Sequence, residues 1–269
     1  MRSIVWLLLI GSLCSSAWLA HAELPRGTAK YAELPRGKAK YVETARLDSP
    51  DATQAAAADE KYVYAISNRR IAQYDRSSGK RMGYSSGPAE HLNSGIFHEG
   101  KLYCAHSNFP NKPDESDIRV YDPATRKLTV FHTFKNPPGS LTWALPRKGQ
   151  WWCHFAHYGD DNAKSVLICY DADWKERGRW TYPKALVADW GKHSLSGGIW
   201  DGDTLLTTNH DDPVLYRLRL PKKGSEIEVV EVIAAPFTGQ GIAADPKTGG
   251  LVGIDRPKRQ VIFAELRAK

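Results

Sequence analysis

The segment "HEGKLYCAHS" at residues 98–107 places a polar turn directly before a short apolar strand. A turn followed by such a strand is typical of a β-hairpin. The arrangement recurs in "ADEKYVYAIS" (58–67), "RKGQWWCHFA" (147–156), "WDGDTLLTTN" (200–209) and "KTGGLVGIDR" (247–256). Five hairpins at intervals of roughly 40 to 55 residues predict a repeated β structure.

Each hairpin belongs to a longer unit. A strand of small residues precedes it, as in "LNSGIF" (92–97), and a third strand follows, as in "DIRVYD" (117–122). In four units a fourth strand comes next, as in "KLTVFHTF" (127–134). Antiparallel units of four strands that repeat in this way predict an all-β chain, specifically a five-bladed β-propeller whose units stand around a channel.

The fifth unit ends at Lys269 with only three strands. We expect "KAKYVETARL" (38–47) to supply its outer strand and to close the ring. A shorter repeat precedes this strand, since residues 23–32 and 33–42 match at eight of ten positions. The second copy leads into the closing strand, and we interpret the first copy as a local duplication.

The N-terminus has the pattern of a secretory signal peptide. Arg2 supplies a positive charge, residues 4–10 form an apolar run, and "AHA" (20–22) resembles a cleavage site. We therefore expect a signal peptide at residues 1–22, an N-terminal segment at 23–37, a single propeller domain at 38–269, and a secreted or periplasmic protein. A retained membrane anchor is the alternative, but the run is shorter than the ~20 apolar residues that span a bilayer.

Composition and charge limit the partners. The chain has 42% apolar residues, enough for a packed core, and a formal net charge of +7. A positive balance favours anionic partners, including acidic polysaccharide. The basic residues are scattered in turns and form no sustained basic patch, so we expect no nucleic-acid partner. We also expect no membrane span after signal cleavage, and a monomer.

The turns after two third strands carry a family resemblance. Residues 74–80 ("YDRSSGK") and 121–127 ("YDPATRK") resemble the YD-x-x-[ST]-G-K turns of secreted propeller superfamilies, with Arg126 where glycine is usual. The blade pattern over the mature chain is similar to that of plant-type glutaminyl cyclases and olfactomedin-like propellers. The resemblance implies the fold and a secreted protein. It carries no catalytic residues, because "FTGQG" (237–241) is only loosely similar to the cyclase FTQG motif and falls in the last unit.

The predicted propeller also locates a site. Loops that enter the innermost strands and loops that leave the second strands lie on one face, around the channel mouth, and these loops are unusually polar. The candidate catalytic residues are His106, His157 and His210. The candidate ligand-binding residues are Arg69, His91, Asn93, Asn108, Trp143, His193, Asn209, Gln240, Asp255 and Arg256.

Three interpretations of this polar cluster stay open. The side chains could satisfy backbone groups where loops converge. They could instead hold a divalent metal through Asp211 and some of the histidines His91, His106, His157, His193 and His210, with His106, His157, His210 and Asp211 as the first candidates. In the third interpretation a histidine moves a proton while Arg69 or Arg256 holds an anionic group.

The third interpretation predicts a hydrolase or lyase for a small polar or anionic ligand, such as a carbohydrate or a lactone-like compound. The alternative from a different class is a non-catalytic binding or scaffold protein that uses the same face. No Ser or Cys stands in an elbow-like motif that would indicate a nucleophilic triad.

Cysteines and tryptophans each leave two alternatives. A hairpin symmetric about Asp161 would place Cys153 opposite Cys169, where a disulfide could form, but we favour buried free thiols for these two residues and Cys104.

Trp143 and Trp200 could stack a sugar ring near the channel mouth. We favour packing between blades, because large side chains must fill the wedge between radial sheets.

Overall fold

The computed structural model describes residues 34–112 and 114–268 of the 269-residue chain. The predicted signal peptide (1–22) and the first decapeptide copy (23–32) lie outside the described residues. Within the described part, none of the helices has the length and apolar character that a bilayer span requires.

The described residues form twenty β-strands and little helix. The first nine strands are β1 (Arg36–Asp48), β2 (Ala55–Ala58), β3 (Tyr62–Ile66), β4 (Ile71–Asp75), β5 (Arg81–Tyr84), β6 (His91–His98), β7 (Lys101–Ser107), β8 (Ser116–Asp122) and β9 (Lys127–Thr133). The next eight are β10 (Ser140–Arg147), β11 (Gln150–Ala156), β12 (Val166–Tyr170), β13 (Glu176–Trp180), β14 (Gly198–Asp201), β15 (Thr204–Thr208), β16 (Val214–Arg219) and β17 (Glu228–Ala234). The last are β18 (Ala243–Ala244), β19 (Leu251–Asp255) and β20 (Gln260–Arg267), with a 3-10 helix (Gly159–Lys164) and α1 (Lys184–Asp189) between strands.

Strand pairing confirms the predicted four-stranded antiparallel units. The first unit is β2 to β5, the second β6 to β9, the third β10 to β13 and the fourth β14 to β17, each with consecutive strands as neighbours. The fifth has the order β18, β19, β20, β1. Two inner strands are shorter than the small-residue segments that predicted them, because the chain runs irregularly through residues 195–197 and 239–242 before β14 and β18 begin.

The innermost strands form a closed ring. Strand β2 contacts β6, β6 contacts β10, β10 contacts β14, β14 contacts β18, and β18 contacts β2. Small residues allow this approach: a Cβ atom on Gly241 would lie 2.6 Å from the Cβ atoms of Ala55 and Ser94. The axis is therefore packed tightly at this level, which leaves the ends of the ring for ligand binding.

Strand β1 closes the ring, as predicted, by pairing antiparallel with β20 from Lys40↔Arg267 to Asp48↔Gln260. Its first residues also pair in parallel with β17, which joins the fourth and fifth units into one eight-stranded sheet. The backbone N–H of Val232 donates to the carbonyl of Pro35, and Leu34 packs into the core beside the fourth unit. The second decapeptide copy thus binds two neighbouring units at once.

The register of the third unit corrects the cysteine prediction. Phe155, and not Ala156, pairs with Val166, so Cys169 faces Trp152 and Cys153 faces Ile168. The loop between these strands contains the 3-10 helix, which shifts the hairpin centre by half a residue from Asp161. The two thiols consequently lie on opposite faces of the sheet. Cys104, Cys153 and Cys169 are all buried and free, as we favoured.

Truncation tests the closure by β1. A protein that starts at residue 33 keeps β1, whereas a protein that starts at residue 49 loses it and exposes the edges of β17 and β20. Loss of buried Leu34 and Tyr41 alone removes roughly 1.5–3 kcal/mol each. Since 1 kcal/mol shifts Tm by roughly 2–4 °C in a domain of this size, we expect Tm to fall by about 10 °C or more. Differential scanning calorimetry of both truncations and of a protein starting at Glu23 makes the comparison. Equal Tm values for all three would contradict the closure.

Candidate functional site

Two adjoining cavities open on the face where the loops before inner strands meet the loops after second strands. The arginine cavity has a volume of about 600 Å³, and its polar lining includes Asp51, Asn68, Arg69, Arg70, Arg256 and Arg259. The histidine cavity has a volume of about 710 Å³ and is lined by Asn68, Arg69, Glu90, His91, Asn108 and Phe109, among others. Asn68 and Arg69 belong to both, so the two cavities share a wall.

The arginine cavity is strongly positive. Arg70 is neutralised by the buried carboxylate of Asp51, with Nε 2.7 Å from Oδ1. Arg259 donates from Nη1 to the carbonyl of Pro50 at 3.2 Å. Arg69 and Arg256 form no ion pair with any carboxylate of the described residues. Two uncompensated guanidinium groups on one concave surface are suited to bind an anion.

Arg256 is half-buried, and a hydrogen bond of its backbone N–H fixes its position in the loop after β19. Its N–H donates to the Oγ1 of Thr238 at 2.8 Å, while the preceding carboxylate, Asp255, is occupied by Lys258 at 2.8 Å. Asp255 is therefore mostly buried and paired with Lys258, and its role as a ligand contact stays a prediction. Sequence reasoning named Arg69 and Arg256 but missed Arg70 and Arg259. The turns "SNRR" (67–70) and "RPKR" (256–259) occupy equivalent positions in adjacent units, and this equivalence was the available signal.

His91 stands at the start of β6 with a ring that faces the histidine cavity. Its ring lies 5.5 Å from that of Phe109, and its nitrogens have no hydrogen-bond partner among the described residues. Burial lowers the pKa of His91, and electrostatic interactions with His106 and Arg256 lower it further. The imidazole is thus neutral at pH 7 and keeps a lone pair that can accept a proton.

His106 does not have the free nitrogen that its predicted catalytic and metal-binding roles require. Its Nε2 accepts from the backbone N–H of Glu90 at 3.0 Å, and its Nδ1 lies 3.1 Å from Oδ2 of Asp117. Asp117 is in turn held by Arg119 at 2.5 Å. Both ring nitrogens of this buried histidine are occupied, so His106 positions the backbone next to His91.

The predicted metal ligands do not come together as one set. His157 is half-buried on the loop after β11, where its backbone N–H donates to Ser165 Oγ at 2.9 Å. Within residues 34–112 and 114–268, the group with metal-ligand spacing consists of His193, His210 and Asp211. This group consists of three of the predicted candidate ligands, and His106 and His157 lie outside it.

His193 and His210 share the carboxylate of Asp211. Nδ1 of His193 lies 3.0 Å from Oδ2, Nδ1 of His210 lies 2.7 Å from Oδ1, and the two rings stack at 3.8 Å. Burial lowers the pKa of His210, against the opposing effect of Asp211. Burial by itself raises the pKa of Asp211, but its hydrogen bonds and charge interactions with the two histidines outweigh this and lower it.

Several predicted ligand-binding residues are structural. Asn93 Nδ2 donates to the carbonyl of Leu141 at 2.8 Å, and Gln240 is buried with a left-handed backbone. Trp143 is fully buried and stacks on His154, so it cannot contact a sugar. The ring of Trp200 is covered by the guanidinium of Arg147 at 4.0 Å. Core packing, the favoured alternative for the tryptophans, explains both rings. Asn108 lies on the wall of the histidine cavity, where its role in ligand binding stays a prediction.

His154 is not among the residues predicted from the sequence, because its position on the second strand β11 does not show which side chains its ring contacts. The residue is fully buried, with Nδ1 2.6 Å from the Tyr182 hydroxyl and Nε2 3.0 Å from Ser194 Oγ. The contact has the atoms of a nucleophile and base pair, but Ser194 is also buried and no substrate can reach it. Burial lowers the pKa of His154 to about 3.

Comparison with known proteins supports the fold alone. No family model matches the chain, and no curated protein matches it either. The crystal structure of Myxococcus xanthus glutaminyl cyclase is similar, with a TM-score of 0.60 and 10% identity over 87% of this chain and 99% of that chain. A chain from the mitotic checkpoint complex has a TM-score of 0.44 and 11% identity over 89% of this chain and 98% of that chain. The second value is too low to support any inference, and the first shows a shared propeller-like architecture.

The buried imidazole of His154 predicts acid destabilisation. In the unfolded chain a histidine binds a proton below pH ~6.5, whereas in the folded chain it binds one only near pH 3. The stabilisation is complete above pH 6.5 and is lost as pH falls, by about 1.4 kcal/mol per pH unit for one proton. We expect urea unfolding between pH 6.5 and 4 to show a steeper pH dependence for the natural protein than for His154→Gln. Identical slopes would show that His154 is protonated in the folded state.

Proposed function

We propose that the protein binds a small anionic ligand, such as a sugar acid or the acid form of a lactone, and acts on it as a hydrolase or lyase. The observation that carries the proposal is the pair Arg69 and Arg256, which have no carboxylate partner among residues 34–112 and 114–268 and line a cavity that adjoins His91. Cavity volumes of about 600 and 710 Å³ fall within the range of small-molecule sites.

The arginines would orient the ligand. A guanidinium group presents parallel N–H donors that match the two oxygens of a carboxylate, so Arg69 and Arg256 together would fix an acidic group at the shared wall. Their positive charge would also stabilise negative charge that develops on the ligand when a proton is removed next to the carboxylate. Binding and transition-state stabilisation would then use the same two side chains.

His91 is the group that would move the proton. Its imidazole is neutral and has no hydrogen-bond partner among the described residues. In a lyase reaction it would accept the proton from the carbon next to the carboxylate, while the oxygen substituent on the neighbouring carbon leaves with the electrons of its C–O bond. In a hydrolase reaction it would accept a proton from a water molecule whose oxygen adds to the lactone carbonyl carbon, and the ring C–O bond would then break. His106 would keep the loop in place through the backbone N–H of Glu90. This assignment moves the catalytic role from His106, His157 and His210 to His91, which the sequence predicted as a ligand contact.

We also propose that the protein works in a secreted or periplasmic compartment, on the basis of the pattern in residues 1–22. The buried thiols suit an oxidising environment. Burial raises the pKa of Cys104, Cys153 and Cys169, which keeps them protonated and slows their oxidation.

A non-catalytic interaction protein is the second candidate function. Its support is an exposed apolar patch on β9, where 52% of Val130 and 42% of Phe131 are accessible. Phe131 contacts Trp151 at a ring distance of 5.3 Å, which extends the patch to the third unit. Anion binding without turnover on any tested compound would favour this alternative over an enzyme.

Arginine substitution tests the anion site. Arg69→Gln and Arg256→Gln should each weaken binding of galacturonate by about tenfold or more, since a hydrogen bond to a charged group contributes roughly 1.5–3 kcal/mol. Arg179→Gln is the matched control, because Arg179 is exposed and paired with Glu176 on β13. Isothermal titration calorimetry at two salt concentrations gives the affinities. Equal affinity in all variants, or equal binding of neutral galactose, would contradict the proposal.

Substitution of His91 tests the enzyme activity. A panel of uronic-acid glycosides and lactones first identifies a substrate that is turned over. His91→Gln should then lower kcat by about 100-fold or more while KM changes little, because general-base catalysis contributes roughly 10²–10⁴. In the natural protein, kcat/KM should fall with pH only below the usual histidine pKa of about 6.5, since burial lowers the pKa of His91. His98→Gln is the control, and a kcat of His91→Gln equal to that of this control would rule out the assigned role.

A further inference from the structure

A second cluster of reactive side chains lies outside the two cavities. His193 is in the loop between α1 and β14, and His210 with Asp211 follows β15, so two loops of the same face bring the three residues together. One donor atom of each residue lies within 4.8 Å of the others. The side chains are accessible to solvent, with exposed fractions of 42% for His193, 20% for His210 and 60% for Asp211.

Hydrogen bonds of the Asn209 side chain hold the turn that carries His210 and Asp211. Oδ1 of Asn209 accepts from the backbone N–H groups of Asp211 at 2.8 Å and Asp212 at 3.0 Å. Nδ2 of the same buried Asn209 donates to the hydroxyl of Tyr216 at 2.6 Å. Asn209 therefore holds the turn that carries His210 and Asp211, and both ends of its side-chain amide are occupied by these hydrogen bonds.

Gly239 supports the same turn from the next unit. With a φ of +73°, it sits against the backbone of His210, and any Cβ atom at this position would overlap the His210 carbonyl oxygen. The fifth unit thus packs closely against the loop of the fourth. Two elements of the ring therefore fix the backbone of the turn that carries two of the three candidate ligands, which favours an ion site.

We infer that His193, His210 and Asp211 bind one late first-row divalent cation, with zinc as the best match. Two imidazole nitrogens and a carboxylate are ligands that suit zinc and its neighbours, whereas magnesium and calcium prefer oxygen ligands. Three protein ligands also leave a fourth position of a tetrahedral ion open to water or to a ligand oxygen. The inference does not depend on the arginine cavity or on His91.

The donor atoms already lie close together, and the two stacked rings would turn so that both Nδ1 lone pairs point at one ion. Zinc bonds of about 2.0–2.2 Å to nitrogen and oxygen imply separations of roughly 3.3–3.6 Å between tetrahedral ligand atoms. The present separations of 3.0 Å and 2.7 Å between Nδ1 atoms and carboxylate oxygens are shorter than this, as expected for hydrogen bonds, and would lengthen on binding. On binding, the Nδ1 proton of each neutral imidazole would move to Nε2 through solvent, and the Nδ1 lone pair would bond to the ion. The Nε2 atoms have no hydrogen-bond partner in the described residues that would oppose this exchange.

Metal titration of the purified, tag-free and chelator-treated protein tests the inference. We expect one zinc ion per chain by isothermal titration calorimetry, no binding of magnesium, and a visible cobalt(II) spectrum typical of four-coordinate nitrogen and oxygen ligands. His193→Ala and Asp211→Asn should each lower zinc affinity by at least about tenfold. Asp211→Asn keeps the size of the side chain, so it stays informative if His193→Ala folds poorly.

Two controls separate this site from other effects. His98→Ala removes a histidine that also lies beside a carboxylate, Glu99 at 3.7 Å, and should bind zinc like the natural protein. Arg69→Gln should likewise keep full zinc affinity, so a failure of the anion site would not be mistaken for a failure of the metal site. Absence of zinc and cobalt binding in the natural protein would overturn the inference. So would zinc binding that both Asp211→Asn and His193→Ala leave unchanged, because the cluster would then be a hydrogen-bonded pair of imidazoles alone.

Discussion

The pairing of β1 with two neighbouring strands is the interaction on which the structure depends. Strand β1 completes the fifth unit through β20 and joins it to the fourth through β17. Without it, the fifth unit would lack its outer strand and would lose its backbone pairing to the fourth unit. Small residues such as Gly241 let those strands approach so closely that the ring axis is filled, and ligands must bind where the loops end.

Ring closure brings loops that are distant in sequence into one site. Arg69 lies in the loop after the second strand of the first unit, and Arg256 lies in the loop after the second strand of the fifth. They line one cavity because these two units are neighbours in the ring. Hydrogen bonds fix the backbone at two points of this site. The backbone N–H of Arg256 donates to Thr238, and the backbone N–H of Glu90, next to His91, donates to His106. The two guanidinium groups repel each other in the free protein, and an anion would relieve that repulsion.

The sequence predicts the fold well because turns and strands are local features. The hairpin at residues 98–107 became β6–β7 with its turn in place, and the strand predicted at 38–47 lies within β1. The parallel contact of β1 with β17 was not predictable, because no local pattern specifies a neighbour across two units. The register of Cys153 was missed for a related reason: a 3-10 helix in the connecting loop moves the pairing by one residue.

The site was predicted less completely, because the role of a histidine depends on what faces each ring nitrogen. His91, His106 and His210 all stand at the predicted mouth, yet their ring nitrogens differ. Among the residues that the structure describes, both nitrogens of His106 have partners, those of His91 have none, and His210 shares Asp211 with His193. These differences arise from contacts between loops and between strands, such as Asp117 beside His106. Sequence position shows which residues reach the mouth but not which of them keep a free nitrogen or an uncompensated charge.

Anomalous X-ray diffraction from crystals soaked in selenate tests the central claim most directly, because each bound oxyanion gives a peak at its own position. The account predicts the strongest peak at the shared wall of the two cavities, within hydrogen-bonding distance of both Arg69 and Arg256. Empty density at that wall, with selenate bound instead at ion-paired surface arginines such as Arg179, would contradict it.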